Sequence, residues 1–159
     1  MAANSRFAVA VHVLTSLAYR GGRGEAWTSS TQLAESVRTN PVVVRRVVAA
    51  LGRAGLVEAQ AGRGGGARLA RVPGEVSLAA VYRAVGAEGE AAGGGVLAHN
   101  PNPPNRGCAV SCAMRGALTP VFAAVDDAVL DALGRRTLAD VLAQVDAPRR
   151  APAARHRDR

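Results

Sequence analysis

The sequence predicts a mainly α fold with a small β-hairpin, arranged as a winged helix-turn-helix head followed by a long dimerisation helix. Three observations carry this. Two short helical patterns meet at R-T-N-P, the second opening on Asn40-Pro41 and bearing Arg45-Arg46. Two alternating segments, L-V-E-A-Q and A-R-L-A-R, flank the glycine-rich stretch at residues 61–66. An apolar repeat then runs from Cys108 to Ala132 at steps of three and four residues.

Phe7, Val11, Leu14 and Ala18 recur at helical spacing, so a first helix is expected from about Ser5 to Tyr19, stopped by Gly21-Gly22. Its apolar run carries one Arg6 and is interrupted by His12, which fits an amphipathic helix rather than a signal sequence. Ser29 or Ser30 is placed to cap a short second helix carrying Leu33, Ala34 and Val37. In the third, Asn40 is a natural N-cap and Pro41 sits where a missing N–H costs nothing. Val44, Val47, Val48 and Leu51 form its inward stripe, while Arg45, Arg46 and Arg53 lie off it. Valine is a mediocre helix former, but the cap, the spacing and Gly55 as stop outweigh propensity. A helix-turn-helix followed directly by a hairpin is a winged helix.

The hairpin turn also satisfies the letters G-x-G-x-x-A of a dinucleotide loop. Such a loop needs a helix immediately after it to hold the pyrophosphate, and Pro73 follows Ala67 too closely for one. Glycines at a hairpin tip instead permit positive φ and remove side chains where the loop meets a close surface such as a DNA backbone.

V-S-L-A-A-V-Y-R-A-V-G predicts a fourth helix from about Ser77 to Val85. The glycine-, asparagine- and proline-rich residues 87–107 read as a connector. Val110, Met114, Leu118, Val121, Val125, Val129 and Ala132 then make one helical stripe, which Pro120 either kinks or restarts with Thr119 as cap. T-L-A-D-V-L-A-Q-V is a last short helix, and the basic tail from Ala147 is expected to be disordered. The expected division is a winged-helix head over 1–86, a connector over 87–107, dimerisation helices over 108–146 and a tail over 147–159. A helix so apolar on one side calls for a partner, and a second copy of the chain is the economical one.

Length and charge fit this plan. At 159 residues the chain suits one domain with an oligomerisation arm. No apolar run reaches the ~18 residues of a membrane span, so a soluble, non-membrane protein is expected. Two cysteines make no disulfide scaffold, which points to the cytoplasm. All 20 basic residues are arginine, as codon bias in a GC-rich genome would produce. Residues 1–86 carry +7, residues 87–146 carry −3 and the tail carries +4. A basic head on a slightly acidic support suits an anionic partner. No catalytic spacing stands out: His12, His99 and His156 are scattered, and the adjacent Asp126 and Asp127 diverge on a helix. The chain is therefore not expected to be an enzyme. The rival class is a protein-interaction module without DNA binding.

The run S-S-T-Q-L-A-E-S-V…N-P-V-V-V-R-R-V-V-A-A-L-G-R-A-G-L-V…G-R-G-G-G-A-R-L-A-R…V-S-L-A-A-V-Y-R-A-V resembles the Rrf-two (Rrf2) family of bacterial transcriptional regulators. N-P-N-P-P-N-R-G-C-A-V and T-L-A-D-V-L extend the likeness over residues 4–146. The resemblance implies a homodimeric winged-helix protein bound to double-stranded DNA at a near-palindromic operator, usually as a repressor. It places Asn40, Val42 and Arg45 at base edges, Arg46 and Ser30 at phosphates and Arg63 near the minor groove. Thr31, Thr39 and Arg68 fall on the same implied DNA-binding surface. Ala61 stands where relatives often have an arginine.

Several members of that family hold an iron–sulfur cluster on three cysteines. This chain has Cys108 and Cys112 alone, spaced C-x3-C, and a cluster usually needs four protein ligands, mostly thiolates. No metal and no cofactor is therefore expected. Cys108 falls at the start of the long helix with Arg106 two residues away, a setting that favours oxidation. The two thiols are thus candidate redox sensors, unless both are simply small buried apolar residues. An internal disulfide would strain a helix, so intersubunit bonding or a mixed disulfide is the expected oxidised product.

Overall fold

A computed structural model describes residues 3–22, 24–62, 64–86 and 95–150. Six α-helices and one hairpin are placed: α1 Ala3–Gly21, α2 Ser30–Val37, α3 Pro41–Arg53, β1 Val57–Gln60, β2 Gly66–Leu69, α4 Leu78–Gly86, α5 Ala109–Gly134 and α6 Leu138–Arg150. A single 3-10 turn, Pro73–Glu75, leads into α4.

The local signals act as their chemistry requires. Ser29 Oγ accepts from Gln32 N at 3.2 Å while Ser29 N donates to Gln32 Oε1 at 2.9 Å, a reciprocal cap that starts α2. Asn40 Oδ1 accepts from Val42 N at 2.8 Å and Pro41 fills the first helical position, which starts α3. Gly55, at φ +67, turns the chain out of α3 into β1. Between α2 and α3 the left-handed position goes to Arg38, at φ 57.

Strands β1 and β2 pair antiparallel with Glu58 opposite Arg68. Thr28 adds a short third edge: its N–H donates to Ala67 O at 2.9 Å, and Ala67 N donates to Thr28 O at 2.8 Å. The wing is thereby tied to the residue just before the α2 cap.

The head core holds Leu14, Leu33, Val44, Leu51, Val76 and Val81, all fully buried. Burying each such side chain contributes roughly 1.5–3 kcal/mol. On α1 the buried face is wider than Phe7, Val11, Leu14 and Ala18 suggest. Ala10, Val13 and Leu17 are the buried neighbours of Leu14, whereas Phe7, Val11 and Ala18 are only partly covered. Phe7 and Val11 instead border an open apolar groove of about 590 Å³, shared with Leu78, Val141 and Val145.

Helix α5 runs through Pro120 as one element with Cys108 as its N-cap, so Thr119 starts no new helix. Thr119 Oγ1 donates instead to Arg115 O at 2.8 Å, one turn back. The chain then returns to the head. Leu78 N donates to Arg136 O and Leu138 N to Val76 O, both at 2.9 Å, and the Leu138 side chain is fully buried in the head core. Thus α6, grouped by sequence with the dimerisation helix, packs with the head because its first turn completes that core. It also continues to Arg150, past Ala147 where the tail was expected to begin. Residues 151–159 of that tail, and 87–94 of the connector, lie outside the described residues.

The remaining connector lies antiparallel along α5. Val96 N donates to Asp126 Oδ1 at 2.7 Å. The His99 ring tilts against Phe122 at 4.8 Å, with Nε2 3.4 Å from Thr119 Oγ1. Arg115 Nη2 donates to Asn100 O at 3.4 Å, and Asn105 N donates to Ser111 Oγ at 2.9 Å.

Candidate nucleic-acid interface

On α3 the alternation of apolar and basic residues resolves into two faces. Val44, Val47, Val48, Ala50 and Leu51 are buried, while Val42, Arg45, Arg46, Ala49 and Arg53 are exposed. Among the described residues Arg45 and Arg46 have no hydrogen-bond or ion-pair partner, so both guanidiniums are available to an outside anion. An open cleft of about 650 Å³ separates α3 from the wing, lined by Ser30, Arg45, Ala49, Gln60 and Gly62. The fold thus brings Ser30 and Arg45, fifteen positions apart in the chain, to one edge beside the wing. Thr31 is exposed on the first turn of α2, and Thr39 is half-buried in the turn before α3.

Two expected contacts are altered by the geometry. Asn40 uses Oδ1 for its own cap, so its amide nitrogen is what remains to meet a base or phosphate. Arg68 is held within the wing: Nε donates to Glu58 Oε2 at 2.8 Å, Nη2 lies 2.6 Å from the same oxygen, and the guanidinium stacks 4.6 Å over Trp27. That arrangement braces the hairpin to the segment before α2 and offsets the charge of Arg68. Arg63 lies outside the described residues; its neighbours Gly62 and Gly64 take φ +98 and +80.

Sequence reading singles out neither Arg38 nor Gln60. Arg38 is exposed at the helix-turn-helix corner in a left-handed conformation that costs a non-glycine residue roughly 1–2 kcal/mol. Its signal was the R-T-N-P turn itself. Gln60 enters the cleft only because β1 ends there.

A helix with Arg45 and Arg46 exposed on one face, preceded by a capped helix and followed by a braced hairpin, defines a winged helix-turn-helix DNA-binding protein. The chain matches the model of the Rrf2 family, described as "Iron-dependent Transcriptional regulator", over residues 3–144. It is 38% identical over 139 residues to YwnA of Bacillus subtilis (strain 168), a candidate HTH-type transcriptional regulator, covering 87% of this chain and 96% of YwnA. A crystal structure of a candidate DNA-binding protein is similar with a TM-score of 0.64 and 34% identity, over 86% of this chain and 98% of that one. The structure of T. potens IscR shares the fold with a TM-score of 0.62 and 23% identity, over 92% and 89% of the two chains. The chain belongs to the Rrf2 family of DNA-binding transcriptional regulators and is not an enzyme.

The family description raises the question of iron. Cys108 and Cys112 stand one turn apart at the start of α5, yet among the described residues no three His, Cys, Asp or Glu side chains come together to hold a metal ion. His99, the nearest histidine in sequence, is turned onto Phe122 and Thr119. Among the described residues two thiols alone do not supply the four, mostly thiolate, ligands of an iron–sulfur cluster.

Proposed function

We propose that the protein acts in the cytoplasm as a homodimeric repressor that lays two copies of α3 into successive major grooves of a near-palindromic operator. The observation that carries this reading is the pair of exposed guanidiniums on α3, unpartnered among the described residues, with Arg45 lining the wing cleft. Asn40, Val42 and Arg45 face base edges, Arg46 and Ser30 meet phosphates, and the wing brings Arg63 to the minor groove. Thr31 and Thr39 flank the phosphate contacts. Arg68 serves through the wing it braces.

Dimerisation is supported by apolar surface that one chain leaves open. On α5, Val110 is 65% exposed, Met114 45% and Val121 53%. The groove bordered by Phe7, Val11, Val141 and Val145 is a second such surface. A second copy covers both, and its symmetry places the two recognition helices on one side of the duplex. The division of labour follows: residues 1–86 read DNA, and α5 joins the copies.

The experiment is a salt-series mobility-shift titration on the DNA upstream of the protein's own gene. Each phosphate contact contributes about −0.9 to the slope of log K against log salt. In a dimer Arg46→Ala removes two such contacts, so its slope is expected to flatten by about 2 while sequence preference persists. Arg45→Ala should instead lose roughly 1–3 kcal/mol of discrimination at one base pair per half-site. Affinity and preference unchanged in both variants would refute the assignment of α3 to the groove.

A further inference from the structure

A cleft of about 370 Å³ between the connector and the start of α5 lies apart from the DNA-facing surface, lined by His99, Pro103, Cys108, Cys112 and Arg115. Cys112 is exposed and Cys108 half-buried. Asn105 clasps the connector to the start of α5. Its carbonyl accepts from Cys112 Sγ at 3.5 Å and from Cys108 N at 3.0 Å. Its N–H donates to Ser111 Oγ at 2.9 Å, and its Oδ1 accepts from Gly107 N at 3.0 Å. Among the described residues Arg115, one turn further along α5, is engaged only by the long 3.4 Å contact to Asn100 O, which leaves most of its donors for a ligand.

We propose that Cys112 forms a mixed disulfide with a low-molecular-weight thiol bearing a carboxylate, seated in this cleft with the carboxylate on Arg115. The Cys112 sulfur, as thiolate, attacks one sulfur of a small disulfide RSSR. The Cys112–SR bond forms as the RS–SR bond breaks, and the departing thiolate takes up the proton that Cys112 released. Cys112 is oxidised, and one small thiol is the reduced product. The geometry selects Cys112 over Cys108 by exposure, and it selects an anionic adduct because a guanidinium pairs well with a carboxylate. The adduct removes the S–H that donates to Asn105 and fills the space beside Pro103, so it opens the clasp between connector and helix.

The test uses the full chain, fully reduced and then mixed with glutathione disulfide or with cystamine, which carries no carboxylate. Intact mass and peptide mapping follow the product. One adduct per chain on Cys112 is expected, lost in Cys112→Ser and retained in Cys108→Ser. The rate ratio of glutathione disulfide to cystamine should fall by about two- to fivefold in Arg115→Gln, the range of an exposed ion pair. Arg135→Gln, which removes the same charge at the far end of α5, should keep the original ratio. An adduct on Cys108, a disulfide between the two cysteines, or an unchanged ratio in Arg115→Gln would overturn the assignment. Amide exchange at Asn105, Gly107 and Cys108 should quicken on modification; unaltered protection would overturn the opening of the clasp. Neither readout involves DNA.

Discussion

Replacing Gly66 with alanine probes why the wing is built from glycine. A Cβ on Gly66 would collide with the Thr28 carbonyl oxygen, lie 2.6 Å from its carbon and 3.0 Å from Ser29 N. All three are backbone atoms, so none can swing aside. Relief requires parting the wing from Thr28, which breaks the two hydrogen bonds between Thr28 and Ala67 at 2.9 and 2.8 Å. At about 1 kcal/mol net each, these cost about 2 kcal/mol. Ser29 caps α2, so displacing it costs up to about 1 kcal/mol more. Gly64→Ala is the control. Its Cβ would meet open space, so only the positive φ of +80 opposes it, at about 1 kcal/mol. Urea denaturation at one protein concentration, with a common m-value, should place Gly66→Ala about 2–3 kcal/mol below the parent and clearly below Gly64→Ala. Equal losses in the two variants would refute the claim that close approach, rather than backbone conformation, fixes Gly66.

Two further changes test the other ends of the molecule. Val121→Glu puts a charge in the middle of the exposed α5 stripe, so sedimentation should shift from dimer to monomer while helical content by circular dichroism stays constant; a dimer of undiminished stability would show that the seam lies elsewhere. Asp140 accepts from Thr137 N at 2.7 Å and Thr137 Oγ1 at 3.0 Å, which, with Arg136 nearby, holds its carboxyl below the ordinary value. A depressed folded value stabilises above the unfolded value and loses that contribution as pH falls through the folded one. Asp140→Asn should therefore unfold at lower denaturant than the parent at neutral pH, and the two midpoints should converge in acid. A gap that persists there would assign the effect to packing.

What the sequence disclosed and what it withheld differ by range. Ser29, Asn40-Pro41 and Gly55 act on neighbours within a turn, and their roles could be read from a few adjacent letters. Burial on α1 could not, because Phe7 and Leu14 share a helical stripe but meet different surroundings once α6 arrives. Leu138 reads as part of a distant helix until α5 turns back and delivers it to the core. The connector carries no period at all, since its partners lie on α5 rather than within itself. Within the site, the α3 arginines were legible because the valine stripe left them on the opposite face. The pairing of Arg68 was not legible from its charge alone. Counting back from the turn pairs Glu58 with Arg68, and that pairing already implied a brace. The wing glycines were half legible: Gly62 and Gly64 take positive φ, but Gly65 and Gly66 press against the chain's own Gln60 and Thr28.

The two uses of α5 fall on two arcs of the helix that meet at the thiol cleft. At about 100° per residue, Cys112, Thr119 and Asp126 fall within about 40° of one another. Val110, Met114 and Val121 fall within a similar arc on the opposite side. The first set holds the connector through Asn105, His99 and Val96, and the second is left exposed. Val110 and Met114 also line the thiol cleft, so a second copy seated on the apolar arc shares an edge with it, and an adduct on Cys112 bears on the seam as well as on the connector. One route from the connector to the head runs from Val96 and Asp126 to α4, where burial and, less strongly, the Asp126 charge hold the Tyr82 hydroxyl above its ordinary value, and where Tyr82 packs edge-on against Phe7 of α1 at 5.7 Å.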